Sequence, residues 1–391
     1  MLAARLLGRL ARLQSDAVLA PLVQLLADES TAVASAASAS LLSVSAAQPD
    51  NLTLLLAQRG LPSVCNSNAT VRLRVLALAS QLAGSSADAS SAIASSGLSF
   101  EALLAPLNSG DLLSALASLE VLAQIVESDE AALGSAAVPA LLRLVDDTEA
   151  DVLLRSRALS VCARIAAAQK ASPDFLRAVF DAMQDDSPLR AAAVEAVGAL
   201  GQSVCGAEAA LQHKVVAPVA CAAFGGGGAA ATAATHALAT LCGAERPVGA
   251  ELFSNEAEAA LADVVRAGLA VARGAPSLAE ALFAPLQRRG AAFIEERVAV
   301  YRLVSALGRR RWAATAVCAH AALLDALISG DEESGHRPQL WRVAALGALA
   351  SALRGAENEF PALCARLNAA VAAGPFASER GVRAPQVALQ L

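Results

Sequence analysis

The residue types that carry catalysis occur in this sequence without the spacing that catalysis needs. Cys318 lies two residues before His320, and side chains two apart on a helix point in different directions, so a catalytic dyad is not expected. The four histidines are isolated and form no HExxH motif, which argues against a metal site. The run Gly225–Gly228 lacks the Lys-Ser/Thr of a phosphate-binding loop and indicates a turn. The sequence therefore predicts a protein that is not an enzyme, with no catalytic, cofactor-binding or metal-binding residues.

Arginine is the residue type whose spacing points to binding. Seven arginines lie between Arg288 and Arg311, and Trp312 follows them directly. A guanidinium pairs well with carboxylates, and Arg beside Trp is a frequent composition of protein interfaces. The alternative interpretation is a solvated face that Glu295 and Glu296 partly neutralise. The partner-binding residues that we predict here are Arg302, Arg309, Arg310, Arg311 and Trp312.

Charged residues also lie at the N-terminal ends of predicted helices. Arg155 and Arg190 are added to the partner-binding prediction, because with Arg72, Arg74 and Arg157 they would form a ladder of guanidinium groups. Carboxylates ahead of a helix cap its free N–H groups and favour its dipole. We therefore interpret one acidic group as structural capping, namely Asp146, Asp147, Glu149 and Asp151.

Composition favours helices. The chain has 391 residues, of which 56% are hydrophobic but only 3% aromatic, and Ala and Leu dominate. The net charge of −6 predicts no general affinity for nucleic acid. The seven cysteines are odd in number, scattered and without CxxC spacing, which predicts reduced thiols in helix cores, and hence the cytosol or the nucleus.

Self-similarity along the chain is the main signal. Ala136–Asp147 is an apolar helix with a proline near its first turn, and Asp151–Ala166 is a second helix with apolar residues at helical spacing. A period of about 40 residues belongs to armadillo and HEAT repeats. Successive second helices show this period, since their last large apolar residues are Leu82, Ile125, Ile165, Leu200 and Leu241.

One helical hairpin cannot bury its own apolar face, so stacked hairpins form a curved rod with a concave groove. The sequence predicts an all-α armadillo/HEAT-type solenoid superhelix, with a single domain over 1–391 and about eight to nine helical units. An irregular unit near 243–294 should hold the helices Glu256–Ala272 and Leu278–Arg288, and a tail follows at 374–391. The helices predicted to line the groove are 71–83, 111–126, 151–166, 188–201, 229–242, 295–308 and 338–353.

Two segments admit a second interpretation. Met1–Leu26 carries arginines on one helical face, as a mitochondrial transit peptide does, although the pattern runs directly into a repeat-like helix. Val215–Ala244 contains no acidic or basic residue apart from His236, but Pro218 and the run Gly225–Gly228 divide it. We expect a buried helical pair joined by a glycine turn rather than a membrane span.

Three stretches carry a family resemblance. The first runs from Phe180-Asp181-Ala182-Met183 to the helix end Val197-Gly198-Ala199-Leu200-Gly201, followed by Gly206 and Leu211-Gln212. The second is the helix Arg297–Leu307 with Trp312 just after it. The third is the C-terminal order of helix 338–353, helix 360–373 and Gly374-Pro375-Phe376. From about residue 70 onward the chain thus resembles the 26S proteasome non-ATPase regulatory subunit 5 family.

That resemblance implies an armadillo/HEAT-like assembly chaperone of the proteasome base. In that role the concave groove of the solenoid would bind an AAA+ ATPase subunit of the regulatory particle, and an associated non-ATPase base subunit would be a further partner, without nucleic acid or membrane. The chaperone would leave before the proteasome matures. The chain begins late relative to that family, so N-terminal helices are expected to be missing. Two alternatives stay open: a generic armadillo adaptor unrelated to the proteasome, and an organellar structural protein if Met1–Leu26 is a transit peptide.

Overall fold

The computed structural model describes residues 16–47, 60–65, 68–83, 87–96, 98, 101–128, 134–168, 171–184, 187–247, 252–274, 276–288, 290–330, 335–354 and 359–375. Most of the transit-like segment and nearly all of the predicted C-terminal tail lie outside the described residues. The chain divides into two compact units, residues 1–169 (unit 1) and 170–391 (unit 2).

Unit 1 consists of helices, and its described residues contain no strand. Ala and Leu dominate these segments and favour helix because they lose little side-chain entropy in it. Short 3₁₀ turns at Leu25–Ala27 and Ala105–Asn108 extend the first and sixth helices. The helices are α1 Asp16–Gln24, α2 Thr31–Ala47, α3 Leu61–Cys65, α4 Ala69–Ala83, α5 Ala87–Ser95, α6 Glu101–Leu104, α7 Leu112–Ser128, α8 Gly134–Asp146 and α9 Val152–Ala168.

The long helices of unit 1 stack in chain order. Helix α2 packs on α4, α4 on α7 and α7 on α9, while α1, α3, α6 and α8 each pack against the long helix that follows them. The core between them is aliphatic, since the side chains of Leu76, Leu119 and Leu159 are fully buried. Each hairpin therefore buries its apolar face against the next one, as repeat architectures require.

Unit 2 is also built from helices alone over its described residues. Several begin at a serine cap, and the helix that starts at Leu278 has a complete capping box between Ser277 and Glu280. The helices are α10 Pro173–Ala182, α11 Arg190–Leu200, α12 Val204–Gln212, α13 Val216–Gly225, α14 Gly228–Leu241, α15 Asn255–Val271, α16 Leu278–Leu286, α17 Ile294–Leu307, α18 Arg311–Cys318, α19 Ala321–Ser329, α20 His336–Ala352 and α21 Pro361–Ala373.

A second stack of long helices runs through unit 2. Helix α11 packs on α14, α14 on α17, α17 on α20 and α20 on α21. The helices α13, α16 and α19 flank this stack and pack against α14, α17 and α20, respectively. Helix α17 has neighbours on three sides, and all its residues from Arg297 to Val304 are buried. The fold is therefore the predicted all-α solenoid, with its core between successive long helices.

Glycine allows α11 to approach α14 closely. A Cβ atom at Gly198 would lie 2.9 Å from the Cα of Ala237, and one at Gly201 would lie 2.2 Å from the Cα of Leu241. Real Cβ atoms do not come so close to backbone, so larger residues would push the helices apart. The helix end Val197–Gly201 is thus a packing motif.

Arginines on long helices cap the helices that precede them. Arg74 Nη1 donates to the carbonyl oxygens of Leu26 and Asp28, at 3.2 and 2.9 Å. Arg342 Nη1 donates to the carbonyl oxygens of Leu327 and Ile328, at 2.8 and 3.3 Å. The last carbonyls of a helix lack partners inside it and carry the negative end of its dipole, so a guanidinium is well suited to them.

The structure bears out most of the predicted elements. The seven helices predicted to line a groove correspond to α4, α7, α9, α11, α14, α17 and α20, with bounds that differ by a few residues. The irregular unit contains α15 and α16 as predicted, and Gly226 and Gly227 separate α13 from α14. Of the predicted acidic caps, Asp151 caps α9, since its Oδ1 accepts a hydrogen bond from the Leu153 amide at 2.8 Å. Asp147 Oδ1 accepts from the Glu149 amide at 3.0 Å within the turn before it.

All seven cysteines are free, but they do not all lie in helix cores as predicted. Cys162, Cys242 and Cys364 are buried, whereas Cys205 is exposed. Among the described helices none is long and apolar enough by itself to cross a membrane. Helices α18 and α19 reach that length only together, and they meet at a bend of 91°.

Candidate functional site

Five of the predicted binding residues lie close together in unit 2. Arg302 is on α17, Arg309 and Arg310 form the turn after it, and Arg311 and Trp312 open α18. Their surroundings differ sharply, since Arg302 and Arg310 are buried and Arg309 is half-buried, whereas Arg311 and Trp312 are exposed. The run therefore combines buried residues with exposed ones, and of these five residues only Arg311 and Trp312 are exposed to solvent.

Arg302 is the centre of a polar network between α14, α17 and α20. Its Nη1 lies 2.7 Å from His236 Nδ1, and its Nη2 donates to Thr240 Oγ1 at 2.8 Å. The same Nη2 makes an ion pair with Glu245. The guanidinium carbon also stands 5.3 Å from the ring centroid of Trp341, a cation–π distance. These contacts join three stacked helices, so Arg302 holds the stack together.

His236 is an uncharged member of this network. Burial and the adjacent Arg302 lower its pKa to about 4. A guanidinium only donates, so Nδ1 accepts from Arg302 and the ring proton lies on Nε2, which faces Glu295 at 3.6 Å. Glu295 in turn pairs with Arg337 at 2.8 Å, and both of these side chains are more than half exposed. The network therefore opens to solvent at its Glu295 end.

Arg310 belongs to a second buried cluster. Its Nε donates to both carboxylate oxygens of Glu258, at 3.1 and 2.9 Å, and its Nη1 donates to the carbonyl oxygens of Cys242 and Ala306, at 3.2 and 2.8 Å. The guanidinium carbon lies 4.8 Å from the ring centroid of Phe253. With a side chain 2% exposed, Arg310 anchors the segment after α14 and cannot reach a partner.

The remaining residues of the run are more accessible. Arg309 Nη1 donates to the Gly243 carbonyl oxygen at 3.4 Å, and burial lowers the pKa of its guanidinium. Arg311 Nη2 lies 3.6 Å from Glu359, and both of these side chains are mostly exposed. Trp312 is 37% exposed at the start of α18. Within this run, Arg311 and Trp312 are thus the predicted residues whose side chains are exposed.

The other two predicted residues lie elsewhere. Arg155 is in unit 1, where its Nε donates to the carbonyl oxygen of Val145 at 2.9 Å and caps α8. Arg190 is exposed at the start of α11 in unit 2. Of the other arginines in the predicted ladder, Arg74 is a helix cap and Arg157 forms an ion pair with Glu120. Arg74, Arg155 and Arg157 therefore each make a separate local contact.

Sequence reasoning missed the partners of the buried arginines. Glu245 and Glu258 lie more than fifty residues before Arg302 and Arg310, and no local pattern links them. His236 carried one signal, since it is the single acidic or basic side chain of the otherwise apolar stretch Val215–Ala244. Over the described part of the chain, no three His, Cys, Asp or Glu side chains come together as metal ligands would.

Three solved structures illustrate what the chain is similar to. One engineered protein shares 18% identity over 95% of this chain and 94% of its own, with a TM-score of 0.48. A second engineered protein shares 16% identity over 64% and 97%, with a TM-score of 0.45. A structure from work on a phosphorylation switch between cadherin and β-catenin shares 14% over 88% and 63%, with a TM-score of 0.37. At these TM-scores none of them supports an argument about function.

Comparison of the sequence with protein families is more informative about what the chain is related to. No curated protein matches the chain significantly. The family described as proteasome non-ATPase 26S subunit matches residues 5–233, which is more than half of the 391 residues. The matched range includes the packing motif Val197–Gly201, whose glycines the contact between α11 and α14 requires. The chain belongs to the family of proteasome non-ATPase 26S subunits.

Proposed function

We propose that this protein is an assembly chaperone for the base of the 26S proteasome regulatory particle. In this proposal it binds an AAA+ ATPase subunit together with an associated non-ATPase base subunit, and it leaves before the proteasome is complete. The observation that carries the proposal is the family match over residues 5–233. The resemblance of later stretches to the regulatory subunit 5 family supports the finer assignment. The proposed role requires no catalysis, and its place is the cytosol or the nucleus.

The proposed contact surface lies in unit 2, where Arg311 and Trp312 at the start of α18 are its anchors. A Trp that is about one third exposed can bury the rest of its ring against a partner, and such residues dominate interface energetics. The side chain of Arg311 is 72% exposed and can pair with a partner carboxylate. Arg302 and Arg310 do not contact the partner in this proposal. They stabilise the helices near the surface, since their guanidinium groups are engaged inside the fold.

Affinity purification of the tagged full-length chain from cells tests the proposal. We expect ATPase subunits of the base in the eluate, without the peptidase activity of assembled proteasomes. Recovery of no base subunit, or recovery of active complete proteasomes, would contradict the chaperone role. A partner list of trafficking or cytoskeletal proteins would favour the generic adaptor instead.

A pair of double variants tests the contact surface. Arg311→Ala with Trp312→Ala should reduce recovery of base subunits at least about tenfold, because interface anchors of this type contribute about 2 kcal/mol or more. The matched control is Arg177→Ala with Phe180→Ala, which removes an exposed arginine and a 39% exposed aromatic ring from α10. Equal recovery with both double variants would remove Arg311 and Trp312 from the contact surface.

A further inference from the structure

Two pairs of aliphatic side chains stand exposed in unit 1. Leu112 and Leu113 open α7, with 38% and 78% of their surface exposed, and Val152 and Leu153 open α9, with 43% and 60% exposed. Neither pair contributes to the buried core. Clustered aliphatic side chains in water carry a free-energy cost that burial against another molecule would remove. Their position therefore calls for an explanation outside the packing of unit 1.

The two pairs lie on adjoining faces of neighbouring helices. Leu113 and Glu120 are two turns apart on one face of α7, and Leu153 and Arg157 are one turn apart on one face of α9. Glu120 and Arg157 form an ion pair across the two helices, which pack against each other. Leu113 and Leu153 therefore project from the same surface, which we call the α7/α9 surface.

A cleft lies beside these helix ends. It has a volume of about 530 Å³ and is lined by Leu107, Leu112, Leu144 and Leu154 together with the turns before α7 and α9. Cavities of this size accept small ligands or one to two large side chains. The cleft and the exposed pairs together offer a partner both a recess and apolar side chains beside it.

The rim of the cleft is acidic. Asp111, Asp147, Glu149 and Asp151 line it, against a single guanidinium from Arg143. Hydrogen bonds from the side chain and the backbone amide of Ser114 lower the pKa of Asp111, so it is ionised at neutral pH. Two helix dipoles of about half a charge each offset only part of these four carboxylates. The α7/α9 surface therefore combines apolar side chains with a negative potential.

We propose that the α7/α9 surface docks a segment of a partner polypeptide that presents bulky apolar side chains flanked by Lys or Arg. The apolar residues contact Leu113 and Leu153 and enter the cleft, and the basic residues face the acidic rim. Nucleic acid is disfavoured as an occupant because its phosphates would face the same carboxylates. The inference rests on residues of unit 1 alone and goes beyond the assembly role proposed above.

Two synthetic peptides test the inference on the full chain. Both are fluorescein-labelled and 14 residues long with leucines at the same positions, and the other positions are Lys in one and Glu in the other. Fluorescence anisotropy should show binding of the Leu/Lys peptide and none of the Leu/Glu peptide. Leu113→Ser with Leu153→Ser should weaken that binding at least about tenfold, because two apolar contacts are lost. Asp147→Asn with Glu149→Gln should weaken it and reduce its salt dependence.

The matched control is Val271→Ser, which removes a 58% exposed aliphatic side chain from α15 in unit 2 and should leave the affinity unchanged. Equal binding of the two peptides, or wild-type affinity in the double serine variant, would overturn the proposal. A dimer in sedimentation velocity that the double serine variant abolishes would also overturn it, because the occupant would then be a second copy of this chain. Circular dichroism should confirm that all variants keep their helicity, since the changed residues are exposed.

Discussion

Adjacent arginines in this chain perform different tasks. Arg310 donates to Glu258 and to two backbone carbonyls from a buried position, whereas Arg311 extends into solvent near Glu359. Removing one member of a buried ion pair leaves the other charge without compensation, and buried backbone acceptors lose their donor. Removing an exposed arginine changes little in the folded chain. Within one run of sequence, Arg310 therefore stabilises the fold, whereas Arg311 stays exposed for the contact proposed above.

Single alanine variants test this separation. We expect Arg310→Ala to lower the free energy of unfolding by about 3 kcal/mol, since Glu258 loses its guanidinium partner and the carbonyl oxygens of Cys242 and Ala306 lose a donor. Arg311→Ala should change that free energy by less than about 0.5 kcal/mol. Urea unfolding followed by circular dichroism measures both. Equal stability of the two variants would contradict the assignment of Arg310 as an anchor.

His236 makes the stability depend on pH. Its pKa in the folded chain is about 4, below the ordinary 6.5, so protonation favours the unfolded chain. Its contribution to stability is complete above about pH 6.5 and is lost as the pH falls toward 4. In His236→Asn the amide oxygen can still accept from Arg302 but does not titrate. We expect the melting temperature of this variant to fall less between pH 7 and pH 5 than that of the wild type.

The comparison between these two chains isolates His236, because the other three histidines and all carboxylates titrate in both. An identical decrease in melting temperature for the variant and the wild type would show that the folded-state pKa of His236 is ordinary. That result would also argue against the contact between His236 and Arg302 in the network between α14, α17 and α20.

At the scale of elements, close helix packing depends on glycine at particular positions. Gly201→Ala would place a Cβ atom against the backbone of Leu241 and should lower the free energy of unfolding by about 2–3 kcal/mol. Gly347 lies inside α20, and outside the backbone of its own helix no heavy atom lies within 4 Å of its added Cβ, so Gly347→Ala should raise stability by up to about 1 kcal/mol through helix propensity. Thermal unfolding of the two variants measures the contrast, and stabilisation by both would refute the packing argument.

The sequence was sufficient for the long helices of the two stacks that recur with the repeat, but it predicted only some of the short ones. A period of about 40 residues located α4, α7, α9, α11, α14, α17 and α20, because each carries an apolar stripe that is repeated. Short helices such as α3, α5 and α12 were not predicted, since segments rich in Ala and Ser show little contrast between faces.

At the candidate site, the sequence could not distinguish buried from exposed arginines, and the reason is a different one. Three consecutive arginines look alike in a sequence, and their exposure depends on where the chain turns between α17 and α18. Burial of Arg310 also depends on Glu258 and Phe253, which lie on a distant segment. Such a contact has no local signature, so only coordinates could assign Arg310 to the interior and Arg311 to the surface.

At the scale of the whole molecule, the order in which the helices pack determines how far the destabilisation caused by one substitution extends. In unit 2 the stack runs from α11 through α14 and α17 to α20, and each long helix packs on its successor. In such an arrangement stability is close to a sum of local terms and nearest-neighbour interfaces. A change at one interface should therefore loosen its own helices first and reach distant ones only weakly.

Hydrogen exchange of the Gly201→Ala variant tests this expectation. The substitution acts at the interface between α11 and α14, so amides of these two helices should exchange faster than in the wild type, while α20 and α21 keep their protection. Exchange read by mass spectrometry resolves the helices separately, and Gly347→Ala provides a control in which α11 and α14 are unaffected. Equal acceleration in all four helices would mean that unit 2 unfolds as one cooperative body, because a local interface term could not then be distinguished from global stability.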